Sequence, residues 1–238
     1  MKGIYLVGGY PNLESFHNIL KDVLKTNIDF IEIGIPFSDP VADGPVITKA
    51  IEHVVAQDIK MDDILSILID EYEMFENNNV MPFVMTYSNI IYDYGLEKFS
   101  NKYKKFIKGL IIPDIPNNMH GYFYKKGLDI GLIPFITPES RKDDLKYLQY
   151  LKGDFIYYIG VRGITGSKSN TDYDLLSENL KTVKKFTKKN IVLGFGVKTR
   201  ENVNKALEYA DGFVIGTAVV KLQDNKDELL TYLTDILE

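Results

Sequence analysis

Short apolar runs alternate with amphipathic stretches from one end of the chain to the other. Eight runs are rich in β-branched or aromatic residues: 4–7, 28–35, 81–85, 106–112, 132–136, 155–159, 191–195 and 212–215. They are short enough for buried parallel strands. Between them the apolar spacing is helical. Leu13, Phe16, Leu20, Val23 and Leu24 share one face, as do Leu229, Leu230, Leu233, Ile236 and Leu237. Ser140 with Asp143, Thr171 with Asp174, and Asp224 with Asp227 resemble helix-start signals, a capping residue with an acid three positions on. Eight βα units predict an α/β chain closed into a single (β/α)8 TIM barrel over residues 1–238. The competing architecture is an open doubly wound sheet. It calls for a glycine-rich dinucleotide turn, and Gly8-Gly9 is not that fingerprint.

Two connections are extended. About two helices' worth of chain separates strands two and three, and a Gly/Ser/Thr/Asn-rich stretch, 161–171, follows strand six. Long loops after strands belong to the C-terminal rim of a barrel, where its chemistry sits.

Composition narrows the function. The net charge is −5, and the 28 Lys and Arg residues are spread along the chain, so no basic footprint for nucleic acid is present. With no cysteines, disulfides and thiolate chemistry are excluded. No apolar run reaches the ~18 residues of a spanning helix, and the start does not read as a signal peptide. A cytoplasmic, membrane-free protein is expected.

Glu32 interrupts an otherwise apolar strand. An unpaired buried carboxylate is expensive. By alternation it shares a face with Phe30, so if Phe30 packs inside, Glu32 points inward near the strand's C-terminal end. The loop beyond it is stiffened by Pro36, Pro40 and Pro45, with Gly34 and Gly44, and holds Asp43. Pro45 suits the first turn of a helix. Glycines mark three further strand ends: Gly163 and Gly166, Gly194 and Gly196, then Gly216 followed by Thr217. Such loops, with a helix N-terminus, can bind phosphate through backbone N–H groups. Residues on this rim would bind a phosphorylated small substrate and act on it with two carboxylates.

The segment from Glu32 to Pro45, Glu-Ile-Gly-Ile-Pro-Phe-Ser-Asp-Pro-Val-Ala-Asp-Gly-Pro, resembles the signature of the tryptophan synthase alpha chain family. Thr86-Tyr87-Ser88-Asn89, Pro113-Asp114-Ile115-Pro116 and the glycine segments match it too. The resemblance covers essentially the whole barrel. It implies retro-aldol cleavage of indole-3-glycerol phosphate to indole and glyceraldehyde 3-phosphate. Glu32 would be the general acid/base and Asp43 would stabilise positive character at the indole nitrogen. Tyr5, Tyr87, Ile111, Ile136, Tyr157 and Phe195 would line a flat apolar pocket, with Thr165 in the closing loop. Gly166, Gly196, Gly216 and Thr217 would cradle the phosphate.

The same resemblance implies an α2β2 complex with a beta chain. That partner would carry pyridoxal phosphate, leaving this chain without a cofactor or metal. Asp39, Asp114 and Pro116 would face it. The chain departs from the family's usual pattern by opening almost directly at strand one, and at Gly8, Gly160 and Thr217. Arg162 is open between a phosphate-facing and a solvent-facing role.

Competing readings are a regulatory subunit that binds ligand with little chemistry, and another phosphate-binding barrel enzyme. The latter calls for a catalytic lysine or a different acid pair, and Lys108 lies at the wrong end of its strand. The three histidines, His17, His53 and His120, have no metal-ligand spacing and read as surface or packing residues.

Overall fold

The first half of the chain runs β1 (Lys2–Val7), α1 (Leu13–Val23), β2 (Phe30–Gly34), α2 (Pro45–Val55), α3 (Met61–Asp70), α4 (Tyr72–Asn78), β3 (Met81–Met85), α5 (Ser88–Tyr94) and α6 (Leu96–Tyr103). Next come β4 (Gly109–Ile111), α7 (His120–Lys125), β5 (Phe135–Ile136), α8 (Lys142–Tyr147), β6 (Phe155–Tyr158) and α9 (Tyr173–Lys184). The last elements are β7 (Asn190–Leu193), α10 (Arg200–Tyr209), β8 (Gly212–Ile215), α11 (Thr217–Leu222) and α12 (Lys226–Leu237). This computed structural model describes residues 1–40, 43–159, 173–194 and 196–238.

All strand pairs are parallel, in the order β4-β3-β2-β1-β8-β7-β6-β5. The remaining gap is closed by a bridge between Leu110 and Leu132. There Leu110 N–H donates to Gly131 O and Ile133 N–H to Leu110 O, both at 2.8 Å. The result is a (β/α)8 barrel, in which a closed sheet leaves no free edge.

Strand alternation divides the apolar residues into two shells. Tyr5, Phe30, Phe83, Ile111, Phe155, Tyr157, Val192 and Val214 belong to the inner one, while Ile4, Leu6, Ile31, Ile33, Val84 and Leu110 pack under the helices. Phe30, Phe83 and Phe155 meet with ring centroids 5.1–5.8 Å apart and fill the lower barrel. Among the described residues no helix is long and apolar enough to cross a membrane.

Several local expectations need correction. The run 106–112 contributes only Gly109–Ile111 as strand, because Phe106 and Ile107 N–H groups still bond back to Tyr103 O at the end of α6. The run 132–136 keeps two strand residues, since Pro134 offers no N–H to the ladder. Three helices, not two, separate β2 from β3. Helix α8 is capped one residue later than predicted: Asp144 accepts from Arg141 N–H at 2.9 Å, and Ser140 Oγ instead accepts from Thr137 N–H. Before α12 the cap is Asn225, not Asp224. The Thr171 signal lies outside the described residues.

Candidate active site at the barrel rim

Glu32 stands in the inner layer, in register with Tyr5 on β1 and Phe83 on β3. It is 1% exposed. Its Oε2 accepts from the Tyr157 hydroxyl at 3.4 Å, and its Oε1 has no hydrogen-bond partner among the described residues. Burial pushes its pKa up to about 8, and the Tyr157 bond opposes that only in part. Near neutral pH the group is mainly a carboxylic acid. Such a group can give a proton and take one back.

Asp43 precedes α2, whose N-terminus is formed by Gly44 and Pro45. Its Oδ2 accepts from the Tyr87 hydroxyl at 3.0 Å. Burial raises its pKa and the Tyr87 bond lowers it. Tyr5 and Tyr157 are both held far toward the neutral phenol, first by burial, and each feels Glu32 and Asp43 together. Both acids therefore lie close to the same two tyrosines, although eleven positions separate them in the chain.

Two glycines make room for those tyrosines. A Cβ at Gly34 would stand 2.0 Å from the Tyr5 hydroxyl oxygen, and one at Gly194 would stand 1.7 Å from Tyr157 Cε1. Both distances are impossible for real atoms, so a larger residue at either position would displace a site tyrosine.

The end of β8 lies next to β1. A Cβ on Gly216 would sit 3.9 Å from Tyr5 Cβ. Thr217 opens α11, with Gly216 as its N-cap residue. This juxtaposition is locked by Gln223, which is fully buried just after α11. Its Oε1 accepts from Val7 N–H at 3.0 Å, and its Nε2 donates to Val7 O at 2.8 Å and Tyr10 O at 3.0 Å.

A family model described as tryptophan synthase alpha chain matches residues 4–237. The tryptophan synthase alpha chain of Thermotoga petrophila is 34% identical over 241 residues, covering 96% of this chain and 94% of its own. The chain belongs to the tryptophan synthase alpha chain family. Solved structures agree. The tryptophan synthase subunit alpha from Campylobacter jejuni superposes with a TM-score of 0.86 at 30% identity, covering 99% of this chain and 94% of its own. A Mycobacterium tuberculosis tryptophan synthase structure gives 0.85 at 26% identity, covering 99% and 90%.

In this chain, Tyr5, Ile111 and Tyr157 lie in the inner shell and Tyr87 is buried beside Asp43. Ile136 is a correction. It packs in the outer shell, whereas Phe135 is paired with Tyr157 across β5 and β6 and stacks on it with centroids 5.3 Å apart. The strand reverses sides at every residue, so the inner place belongs to Phe135. Thr165, Gly166, Arg162 and Phe195 lie outside the described residues. Gly196 is exposed with φ +72°, beyond β7. Asp39, Asp114 and Pro116 are exposed. His17 pairs with Glu71 at 2.5 Å, His53 contacts Pro11 O, and His120 is buried, which lowers its pKa to about 4.

Sequence reasoning missed Phe135 and Gln223. Gln223 was findable: it follows Val219 by four positions, on the side of α11 where Val219 and Val220 are buried.

Proposed function

We propose that Glu32 supplies and recovers the proton in the cleavage of indole-3-glycerol phosphate, with Asp43 as its electrostatic partner. Membership of the alpha chain family makes this protein a lyase acting on that substrate. Protonation of indole C3 places positive character on the ring nitrogen. Loss of the side-chain hydroxyl proton then drives cleavage of the bond to C3, releasing indole and glyceraldehyde 3-phosphate. Glu32 gives the first proton as the acid and takes the second as the carboxylate. Asp43 accepts the indole N–H and stabilises the cation.

The observation that carries this reading is the acid on β2 with its pKa raised to about 8, buried against Tyr157, and sharing its surroundings with Asp43. Tyr5, Tyr87, Ile111, Tyr157 and Phe135 would clamp the indole ring, with Phe195 and Thr165 completing the pocket. The phosphate would rest on backbone N–H groups at Gly196, Gly216 and Thr217, joined by Gly166.

The wider reading is a single-domain chain of 1–238, supported by the pairing of β1 with β8. It acts in the cytoplasm within an α2β2 complex whose beta chain holds pyridoxal phosphate. Asp39, Asp114 and Pro116 would face that partner. The chain itself would use no cofactor or metal. The deciding experiment measures indole release from indole-3-glycerol phosphate, with and without a beta chain. Release by the isolated chain, raised by the partner, is expected. Ligand binding without release would support a purely regulatory subunit instead.

A further inference from the structure

The loop after β4 is tied to catalytic Asp43 by a short series of bonds. Asp114 lies at the exposed end of that loop. Its carboxylate accepts from Ser88 N–H at 3.0 Å and 3.2 Å, one bond to each oxygen, and from Ser88 Oγ at 2.5 Å. Ser88 is the first residue of α5, where the backbone N–H has no partner within the helix. A carboxylate there is favoured by the helix dipole and by charge-assisted bonding.

Tyr87 immediately precedes Ser88 in extended conformation, φ −103° and ψ 153°. One peptide unit joins them, so fixing Ser88 fixes the Tyr87 Cα within about 3.8 Å of it. The ring of Tyr87 is 5% exposed and lies against Phe37, with centroids 5.1 Å apart. From that position its hydroxyl donates to Asp43 Oδ2 at 3.0 Å. Three loops, after β2, β3 and β4, are thereby joined.

We propose that Asp114 is a positioning residue for the reaction: through Ser88 it holds Tyr87 in place against Asp43. The proposal rests on the role given to Asp43 above. Asp114 does not touch the reacting atoms. It sets the start of α5, and the start of α5 sets the phenol.

The test compares Asp114→Ala, Tyr87→Phe and the double variant by kcat and KM for indole release. Asp114→Ala alone is expected to lower kcat about three- to thirtyfold, a range typical of coupled neighbours. In the Tyr87→Phe background the same change should do little, because the hydroxyl it positions is already gone. Asp114→Asn keeps one acceptor for Ser88 N–H and should recover part of the rate. Equal losses in both backgrounds would overturn the proposal. A second readout does not need turnover. In ¹³C-carboxyl NMR, Asp43 should titrate at higher pH in Asp114→Ala, as in Tyr87→Phe, since either change removes the hydroxyl bond. Tyr5 and Tyr157 also face Asp43, and Glu32 acts on the same two phenols, but all three are common to every variant. An unmoved titration in both Asp114 variants would refute the relay. Wild type that releases no indole would refute the lyase assignment and leave the relay to be judged on the titration.

Discussion

Gly194 lies directly behind the ring of Tyr157, where a Cβ would fall 1.7 Å from Cε1. Tyr157 in turn donates its hydroxyl to Glu32. An inert backbone position on β7's end thus sets the phenol that touches the acid. Gly194→Ala is expected to push Tyr157 out of place and cut kcat by about a hundredfold, as angstrom-scale misplacement does. Overpacking should destabilise the fold by only about 1–3 kcal/mol. Indole release and thermal melting check both parts; an alanine variant with normal turnover would detach Tyr157 from the chemistry.

Glu32→Gln removes proton transfer while keeping shape. Turnover should fall by about 10²- to 10⁴-fold, the usual worth of a positioned acid/base. Asp43→Asn should lose about 10- to 10³-fold, since it weakens an electrostatic contact. If Glu32→Gln and wild type release indole at the same rate, the acid/base lies elsewhere.

In the proposed mechanism the protonated form of Glu32 begins the reaction. With its pKa raised to about 8 by burial, kcat/KM should fall as pH rises through about 8. A pH profile on the isolated chain reads this directly. A flat profile from pH 7 to 9 would contradict the assignment.

The same raised pKa makes a stability prediction of definite sign. Above its ordinary carboxylate value, the unfolded chain has released the Glu32 proton while the folded chain keeps it. Folding then takes up a proton, so stability falls as pH rises from roughly 5 to 8, by up to ~1.4 kcal/mol per pH unit, and levels off above. Glu32→Gln lacks this loss. Urea unfolding at pH 5 and pH 8 should show the variant gaining on wild type at the higher pH. A pH-independent difference would argue against a neutral buried acid.

Gln223→Leu leaves Val7 N–H and Tyr10 O without their buried partner. The expected loss is about 2–4 kcal/mol in urea unfolding. The bond set also fixes α11 against β1. KM should therefore rise more than kcat falls, because Gly216 and Thr217 would shift relative to Tyr5. A variant with unchanged stability would show that the amide is dispensable.

Much of the site is legible before folding. Glu32 and Phe30 sit two residues apart on one strand, so their common side follows from the strand period alone. The polar break in an apolar run and the proline-stiffened loop to Asp43 mark the two acids to which the proposed chemistry is assigned. Ile136 shows where this reading fails. The alternation in a run interrupted by Pro134 does not say which residue starts the inward series, and pairing with Tyr157 assigns it to Phe135. Glycines at strand ends suggest phosphate loops, yet the space beside Gly34 and Gly194 is filled by Tyr5 and Tyr157.

From the sequence alone come eight strands, their helical partners, the two acids and the family signature, because these depend on periodicity and spacing along one chain. Closure of the sheet decides the rest. Tyr157 against Glu32, Gln223 on Val7, and Asp114 on Ser88 join residues 125, 216 and 26 positions apart. The first two arise only when the strands curve into a ring, and the third when β3 and β4 lie side by side, so no local pattern encodes them.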